Sequence, residues 1–341
     1  VKFRVDTTTE SPVFSRPYRM NPIAAKNTNK LVKELLDEGK LNKITIPDRY
    51  RSPTIEEILG GVSEGAHFSV IDLRKGFHQV EVEEASQAKL AFMIGNKQYT
   101  FRIMAMGPRN APACFQRAVD AALGTLLPQC CFVYLDDIII YTPKGKGRAG
   151  HLADVKRTLR ALDLAGFTTR VDKCKFGLDS LDYLGHRIER GVIRPMFSNV
   201  ERIMRSKRPW NLQSLRRFLG MCGYYRKFIK GYSKVAQPLT DLLRGGQRFR
   251  WEEREERAYV ELVQALLDEP VLTSPDWEQS FKLEVDASKE APLGEYFPKN
   301  GRVISYGSHR LTEAERRWSA TERDICRGVL HPKVRLLSVQ L

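Results

Sequence analysis

The sequence predicts an α+β fold, a β-sheet covered by helices on one face. Two strand-like stretches, one over 66–82 and one split around an acidic bend at Asp136–Asp137, carry β-branched and aromatic residues; two amphipathic helical patterns, Asn110–Leu127 and His151–Ala165, alternate with them. The chain has 341 residues, of which 42% are hydrophobic and 28% charged, enough apolar content for a core and enough length for about two or three domains. No apolar run approaches the roughly 18–20 residues that span a bilayer, and no basic-apolar-small leader opens the chain, so the reading is an intracellular protein. Six cysteines show no Cys-x-x-Cys pair and no histidine at finger spacing, which argues against zinc modules and disulfide frameworks.

The elements follow in order. Thr7 to Pro22 reads as an extended arm, and Leu31–Glu38 as a helix stopped by Gly39. Over 66–82, Phe68, Val70 and Ile71 lead into Asp72, and Val80 and Val82 alternate with Glu81 and Glu83. Asn110 and Pro112 open a helix with Ala111, Phe115, Val119, Ala122 and Leu126 on one face. Cys131–Tyr134 and Ile138–Tyr141 form a hairpin with acid at its tip. Gly145–Gly150 is a loop, the next helix ends at Gly166, and strand-like segments follow at Phe167–Phe176 and Tyr183–Ile188. A helical block runs from Ser198 to about Tyr232, Trp251–Leu267 is a charged helix, and Phe281–Asp286 starts a strand of a further domain.

Charge supplies the first functional signal. Lys and Arg number 56 against 41 Asp and Glu, a net charge of +15 that favours a polyanionic partner, nucleic acid first. Between Glu201 and Asp241 there is no acid, while Arg216, Arg217, Arg226, Lys227 and Lys230 stand among Trp210, Phe218, Tyr224, Tyr225, Phe228 and Tyr232. Such a segment suits cations along a phosphate backbone and aromatic faces against sugars or bases; a solvated helical face normally mixes both signs. The two consecutive aspartates repel, so a cation belongs beside them. Hard oxygen ligands suit Mg²⁺, and a third carboxylate, Asp72, ends the apolar run 68–71 where a neighbouring strand would present it. The competing reading is a plain polar turn.

The motifs Phe68–Gln79, Gly107–Gln116, Tyr134–Asp137, Tyr183–His186, Phe218–Ile229, Pro238–Leu239, Asp286–Ser288 and Ser319–Glu322, in this order, resemble the reverse transcriptase of Ty3/gypsy-type long-terminal-repeat retrotransposons. That resemblance implies a right-hand polymerase: an N-terminal arm and shortened fingers over 1–65, palm with part of the fingers over 66–194, thumb over 195–240, connection over 241–279 and a partial RNase H-like domain over 280–341. It implies that Asp72, Asp136 and Asp137 hold two Mg²⁺ ions, with Mn²⁺ as the alternate ion, for transfer of a deoxynucleotide to a primer 3′-hydroxyl. It places Phe77 as the gate under the sugar, with Met106 and Asn110 beside the nucleotide, and Leu184, Gly185 and His186 as a grip on the primer end, the glycine allowing backbone to approach phosphate. Read from the residues alone, Phe77 is equally a core aromatic, Asn110 a helix cap and His186 a turn histidine. Implied partners are an RNA template, a DNA primer, their hybrid and deoxynucleoside triphosphates, without a membrane; the implied location is cytoplasmic, in a virus-like particle, or nuclear.

Two departures from the family stand out. A finger block of about thirty residues, expected between Gly39 and Leu41–Asn42, is missing, which leaves Lys40 and Lys43 as substitutes for its cations. Asp286 and Glu322 match two nuclease carboxylates, but the segment after Ala291 is shortened and the remaining acids do not appear before Leu341, so nuclease activity is not expected. The readings that compete with a polymerase are a decayed or domesticated copy that only binds nucleic acid, and a palm-type RNA polymerase, which Phe77 and the nuclease motif disfavour.

Overall fold

The computed structural model describes residues 1–9, 40–94, 97–189, 191–244, 249–268, 272–273, 284–286, 293–299, 302–309 and 317. The chain forms two compact units, Val1–Asp179 and Ser180–Leu341. This division falls inside the stretch that the sequence reading gives to one palm.

In the first unit, α1 (Lys40–Ile44) and α2 (Ile55–Val62) precede β1 (Gly65–Asp72), and α3 (Glu84–Gln87) precedes a small ribbon of β2 (Phe92–Ile94) and β3 (Lys97–Tyr99). Then come α4 (Ala111–Leu123), β4 (Cys131–Tyr134), β5 (Asp137–Pro143), α5 (Gly147–Leu164) and β6 (Lys175–Leu178). The main sheet is antiparallel in the order β4-β5-β1-β6. Period-2 alternation sends Ile71, Val133, Ile138 and Ile140 into one buried cluster with Phe115, Val119 and Leu123 of α4 and Val155 and Leu162 of α5. Helices α4 and α5 therefore cover this face; the carboxylates at positions 72 and 137 fall on the other, part of which α2 covers where its Gly61 lies against the Phe132 ring. Beneath the helices a buried polar network ties three strands to α5. His151 pairs with Ser69 at 2.7 Å and with Thr142 at 3.0 Å, Thr142 donates to Asp154 at 2.9 Å, and the Gly177 amide donates to Ser69 at 3.1 Å.

Several boundaries differ from the sequence reading, each for a local reason. The strand expected over 66–82 stops at Asp72, because Lys75 turns left-handed (φ 52) into a 3₁₀ turn over Gly76–Gln79; beyond it, Glu81 and Val82 make single bridges, Val82 with the buried Phe3. The helix expected to reach Leu127 ends at Leu123, where Gly124 adopts φ 50, and Leu123 rather than Ala122 completes its buried face. Gly147–Gly150 is the first turn of α5 instead of a loop. Phe167–Phe176 yields one bridge at Thr169, a 3₁₀ turn and the start of β6. The helix expected at 31–38 lies outside the described residues.

In the second unit, β7 (Ser180–Tyr183), β8 (His186–Glu189), β9 (Val192–Pro195) and β10 (Leu272–Thr273) form an antiparallel sheet in the order β10-β9-β8-β7. Its inward row is Leu181, Ile188, Ile193 and Leu272, all buried. The helices are α6 (Phe197–Met204), α7 (Leu212–Tyr224), α8 (Tyr232–Val235), α9 (Gln237–Asp241) and α10 (Glu253–Leu267). A reciprocal cap starts α7: the Ser214 amide donates to Asn211 Oδ1 at 2.8 Å and the Asn211 amide to Ser214 Oγ at 3.1 Å. The helical block expected from 198 to about 232 consists of α6 and α7, separated after Met204, a 3₁₀ turn over Arg226–Phe228 and the start of α8. A third sheet, β11 (Glu284–Asp286), β12 (Leu293–Lys299) and β13 (Arg302–His309), is joined to α8 through Ser233, which pairs with Ser308 through backbone and hydroxyl.

Candidate active site and nucleic-acid interface

The β1–β5 register pairs Ile71 with Ile138 and Asp72 with Asp137. The Leu73 amide donates to the Asp136 carbonyl at 3.4 Å, so the neighbouring 72–137 pair occupies a non-hydrogen-bonded position, where Cα atoms approach to about 4.5 Å and side chains are nearest. Asp136 lies one residue back, on the bend between β4 and β5, beside Leu135 at φ 58. The structure thus brings Asp72, Asp136 and Asp137 together from segments more than sixty positions apart. Burial first, then the charges of Asp136 and Asp72, hold the Asp137 carboxyl above the ordinary range, while Lys173 opposes the shift. The Lys173 ammonium lies 3.7 Å from Asp72 Oδ2. Among the described residues no three such side chains are already drawn into a metal-binding cluster. The donor set is nonetheless all hard oxygen, and the raised Asp137 carboxyl marks a locus short of positive charge, which fits a divalent cation.

Around these carboxylates the turn 73–79 is pinned from two sides. Gln79 donates to the carbonyls of Arg74 at 2.8 Å and Thr168 at 3.1 Å, and accepts from the Thr168 amide at 2.6 Å. Gly76 passes so close to the Phe115 ring that a Cβ there would stand 2.7 Å from Cζ and 3.4 Å from the Asp136 Cβ. Phe77 is half-buried with its ring 5.1 Å from that of Phe115, so it is anchored in the core without being enclosed by it. Met106 is 49% exposed. Asn110 corrects the cap reading. Its side chain makes no helix cap; it donates to the Ile46 carbonyl at 2.7 Å and accepts from the Asp48 amide at 3.0 Å, which spends both amide atoms on holding 46–48 against α4. Asn42 does the same for the preceding loop, donating to the Gly107 carbonyl at 3.0 Å and accepting from the Arg109 amide at 2.8 Å.

In the second unit, Leu184 and Gly185 form the two-residue bend of the β7–β8 hairpin, both with positive φ (43 and 72). Gly185 is needed for that conformation and for packing: a Cβ would stand 2.8 Å from the Tyr225 hydroxyl and 2.9 Å from Asn199 Nδ2. This is a different reason from approach to a phosphate. Tyr224 and Tyr225 donate to the Leu184 and Gly185 carbonyls at 2.5 and 2.9 Å. His186 is 1% exposed, ringed by Tyr224, Tyr225 and Phe228 at 5.4–5.7 Å, and its Nδ1 donates to the Leu184 carbonyl at 2.8 Å. Burial, aided by Lys227, lowers its pKa to about 3, so the ring is neutral and enclosed, while Leu184 and Gly185 of the expected grip are half-buried.

The basic block divides in the same way. Phe218, Tyr225 and Phe228 are core residues, 2–3% exposed, so the expected aromatic faces reduce to Trp210 and Tyr224, which are 67% and 42% exposed. Gln213, Arg216, Arg217, Gly220 and Tyr224 form the outward face of α7 at helical spacing. Among the described residues no carboxylate pairs with Arg216, Arg217 or Arg226, whereas Arg205 and Arg208 pair with Glu201 and Glu256. Asp286 pairs with Gly294 across β11 and β12; Glu322 lies outside the described residues.

A profile described as "Reverse transcriptase (RNA-dependent DNA polymerase)" matches residues 14–188, more than half of the chain, and a second, "RNase H-like domain found in reverse transcriptase", matches 251–330. The chain belongs to the reverse transcriptase family. The Retrovirus-related Pol polyprotein from transposon 297 of Drosophila melanogaster is 34% identical over 361 residues, covering 95% of this chain and 34% of the relative. The Pol polyprotein from transposon gypsy of the same organism is 31% identical over 88% of this chain and 30% of its own length. The Transposon Tf2-3 polyprotein of Schizosaccharomyces pombe is 29% identical over 85% of this chain and 22% of its own. The chain spans about a third or less of the length of the curated relatives it matches. Among solved structures, the foamy viral protease–reverse transcriptase in complex with double-stranded DNA superposes with a TM-score of 0.83 at 22% identity, covering 99% of this chain and 77% of that one. The same protein with an RNA/DNA hybrid gives 0.80 at 22% identity, over 95% and 48%. The fold is that of a right-hand reverse transcriptase, and reverse transcriptases use divalent metal ions.

Two residues that shape the site, Gln79 and Gln116, carry no charge or periodicity signal; only their place inside the recognised motifs marks them. Gly76→Ala is expected to cost about 1–3 kcal/mol by overpacking against Phe115 and to reduce primer extension, checked by thermal unfolding and single-nucleotide incorporation. With His186 depressed to about 3 and an unfolded value near 6.5, the unfolded chain takes up the proton first as pH falls. Stability is then full above 6.5 and declines between 6.5 and 3, by up to about 1.4 kcal/mol per pH unit. Chemical denaturation across that window should show a shallower slope in His186→Phe than in the parent; equal slopes would contradict the burial of a neutral ring.

Proposed function

We propose that this chain is the polymerase part of a retrotransposon Pol polyprotein, an RNA-directed DNA polymerase that extends a DNA primer on an RNA or DNA template. The observation that carries the reading is the pairing of Asp72 with Asp137 next to the Asp136 bend, in a chain of the reverse transcriptase family. Asp72, Asp136 and Asp137 would hold two Mg²⁺ ions, which supply charge neutralisation at the α-phosphate and activation of the primer hydroxyl. Phe77 sits in the turn after β1, anchored by Phe115, where a rigid ring selects against a 2′-hydroxyl. Asn110 and Asn42 act behind the nucleotide, by fixing the 106–110 segment that presents Met106. Lys43 and Arg109, both exposed and joined through Asn42 to one loop, are the cations offered to a triphosphate in place of the shortened fingers.

The partner class follows from the charge. Structural relatives are seen with double-stranded DNA and with RNA/DNA hybrid, and the acid-free face of α7 suits the backbone of such a duplex. We assign fingers and palm to residues up to about 194, thumb to 195–240, connection to 241–279 and the RNase H-like part to 280–341.

Primer extension on an RNA template should fall at least a hundredfold in Asp72→Asn and Asp136→Asn, with duplex affinity held within about threefold; extension that survives Asp136→Asn overturns the assignment. In Arg216→Ala/Arg217→Ala, duplex binding should weaken equally for all sequences, and the slope of log affinity against log salt should shrink by about 1–2. An unchanged salt slope would remove α7 from the interface.

A further inference from the structure

The bend that carries Asp136 is held from behind by a chain of side chains that the reaction itself does not use. Leu135 adopts φ 58, a conformation that disfavours a leucine by about 1–3 kcal/mol and persists only where surroundings impose it. Its amide turns inward and donates to Gln116 Oε1 at 2.8 Å. Gln116 is 0% exposed, on the face of α4 beneath the hairpin. Its Nε2 donates to the Val133 carbonyl at 3.1 Å and to Asp120 Oδ1 at 2.9 Å. The other Asp120 oxygen accepts from the Tyr50 hydroxyl at 2.6 Å. Arg117, one position beyond Gln116, lies 4.9 Å over the Tyr50 ring and pairs with both Asp48 oxygens, at 2.8 and 2.6 Å. Asp48 in turn accepts from the Tyr50 amide at 2.9 Å and donates its own amide to Asn110.

The geometry points to Gln116 as a positioning residue that fixes the metal-binding bend, oriented by a Tyr50–Asp120 relay reaching the surface loop at 48–50. The inference rests on the reading of Asp136 and Asp137 as metal ligands. One amide group spans both sides of the bend, an acceptor for the Leu135 amide and a donor to the Val133 carbonyl, so it sets the angle at which the following two carboxylates leave the hairpin. The amide is satisfied in only one flip: a reversed Gln116 would present its oxygen to Val133 and Asp120 and its nitrogen to a donor. Asp120 enforces the productive flip by accepting from Nε2, and the Tyr50 hydroxyl fixes Asp120. The segment 46–50 thereby reaches the reaction centre without touching substrate.

The test uses hydrogen–deuterium exchange over 131–138 and Mn²⁺ titration followed by electron paramagnetic resonance, on the whole chain. Gln116→Leu, which keeps volume and removes both hydrogen-bonding atoms, is expected to speed exchange at the Leu135 amide at least tenfold and to weaken Mn²⁺ binding several-fold. Tyr50→Phe, which deletes one partly exposed hydroxyl, should move both readouts in the same direction by two- to threefold without lowering the unfolding temperature. Should Gln116→Leu fail to fold, Tyr50→Phe decides alone. Parental exchange at Leu135 in either folded variant overturns the relay. Asp136→Asn separates the two claims: if it leaves Mn²⁺ affinity intact the ligand assignment fails, while the exchange rates still judge the relay.

Discussion

The site depends on the register between β1 and β5. Because side chains alternate across a strand, a slip of one residue would turn Asp72 into the helix-covered face and Ile71 out of it. Burial of the inward isoleucines prevents this. Ile71, Ile138 and Ile140 are each fully buried, worth roughly 1.5–3 kcal/mol apiece. Two carboxylates about 5 Å apart at an effective dielectric near 20 repel by only about 3 kcal/mol. The apolar row therefore outweighs the repulsion it imposes, and the core of the first unit holds the acids together. Burial first, and then the neighbouring acids, raise the Asp137 carboxyl, and Lys173 approaches Asp72.

The same economy recurs at the bends. Among the described residues, three non-glycine residues adopt positive φ: Lys75, Leu135 and Leu184. Two flank the carboxylates and one forms the tip of the β7–β8 hairpin, and fixed groups bracket each. Gln79 ties the turn after Lys75 to Thr168, Gln116 takes the Leu135 amide, and Tyr224 takes the Leu184 carbonyl. A bend held in this way has one geometry, which is what a reaction that works by positioning requires.

The sheet and its acidic bend were legible because alternation of β-branched residues is a strong signal and because two adjacent aspartates between apolar strands have few uses. The approach of Asp72 was legible only as a consequence of the strand ending there; the register is a tertiary fact. The aromatic residues 218, 225 and 228 were misread for one reason. In a segment without acids every aromatic residue looks available to a partner, yet the helical period of α7 and the tight turn after it send Phe218, Tyr225 and Phe228 inward. Asn110 stood where a cap belongs, and the 46–48 segment that claims its amide is sixty-odd residues away in sequence. A buried glutamine such as Gln116 has no periodic signature, because its value lies wholly in which backbone groups surround it.

Several cations of the second unit are matched within their own neighbourhood: Arg257 with Glu253, Arg254 with Asp241, Arg208 with Glu256. Such exposed pairs contribute little to stability, but they cancel the field they would otherwise project. Among the described residues no carboxylate cancels the arginines on the outward face of α7, and Gly220 leaves a gap in the side-chain wall between Arg216 and Tyr224. A polymerase must hold its duplex firmly and still let it advance. In the proposed function, uncancelled cations would satisfy both demands, since backbone contacts are equivalent at every step along the strand.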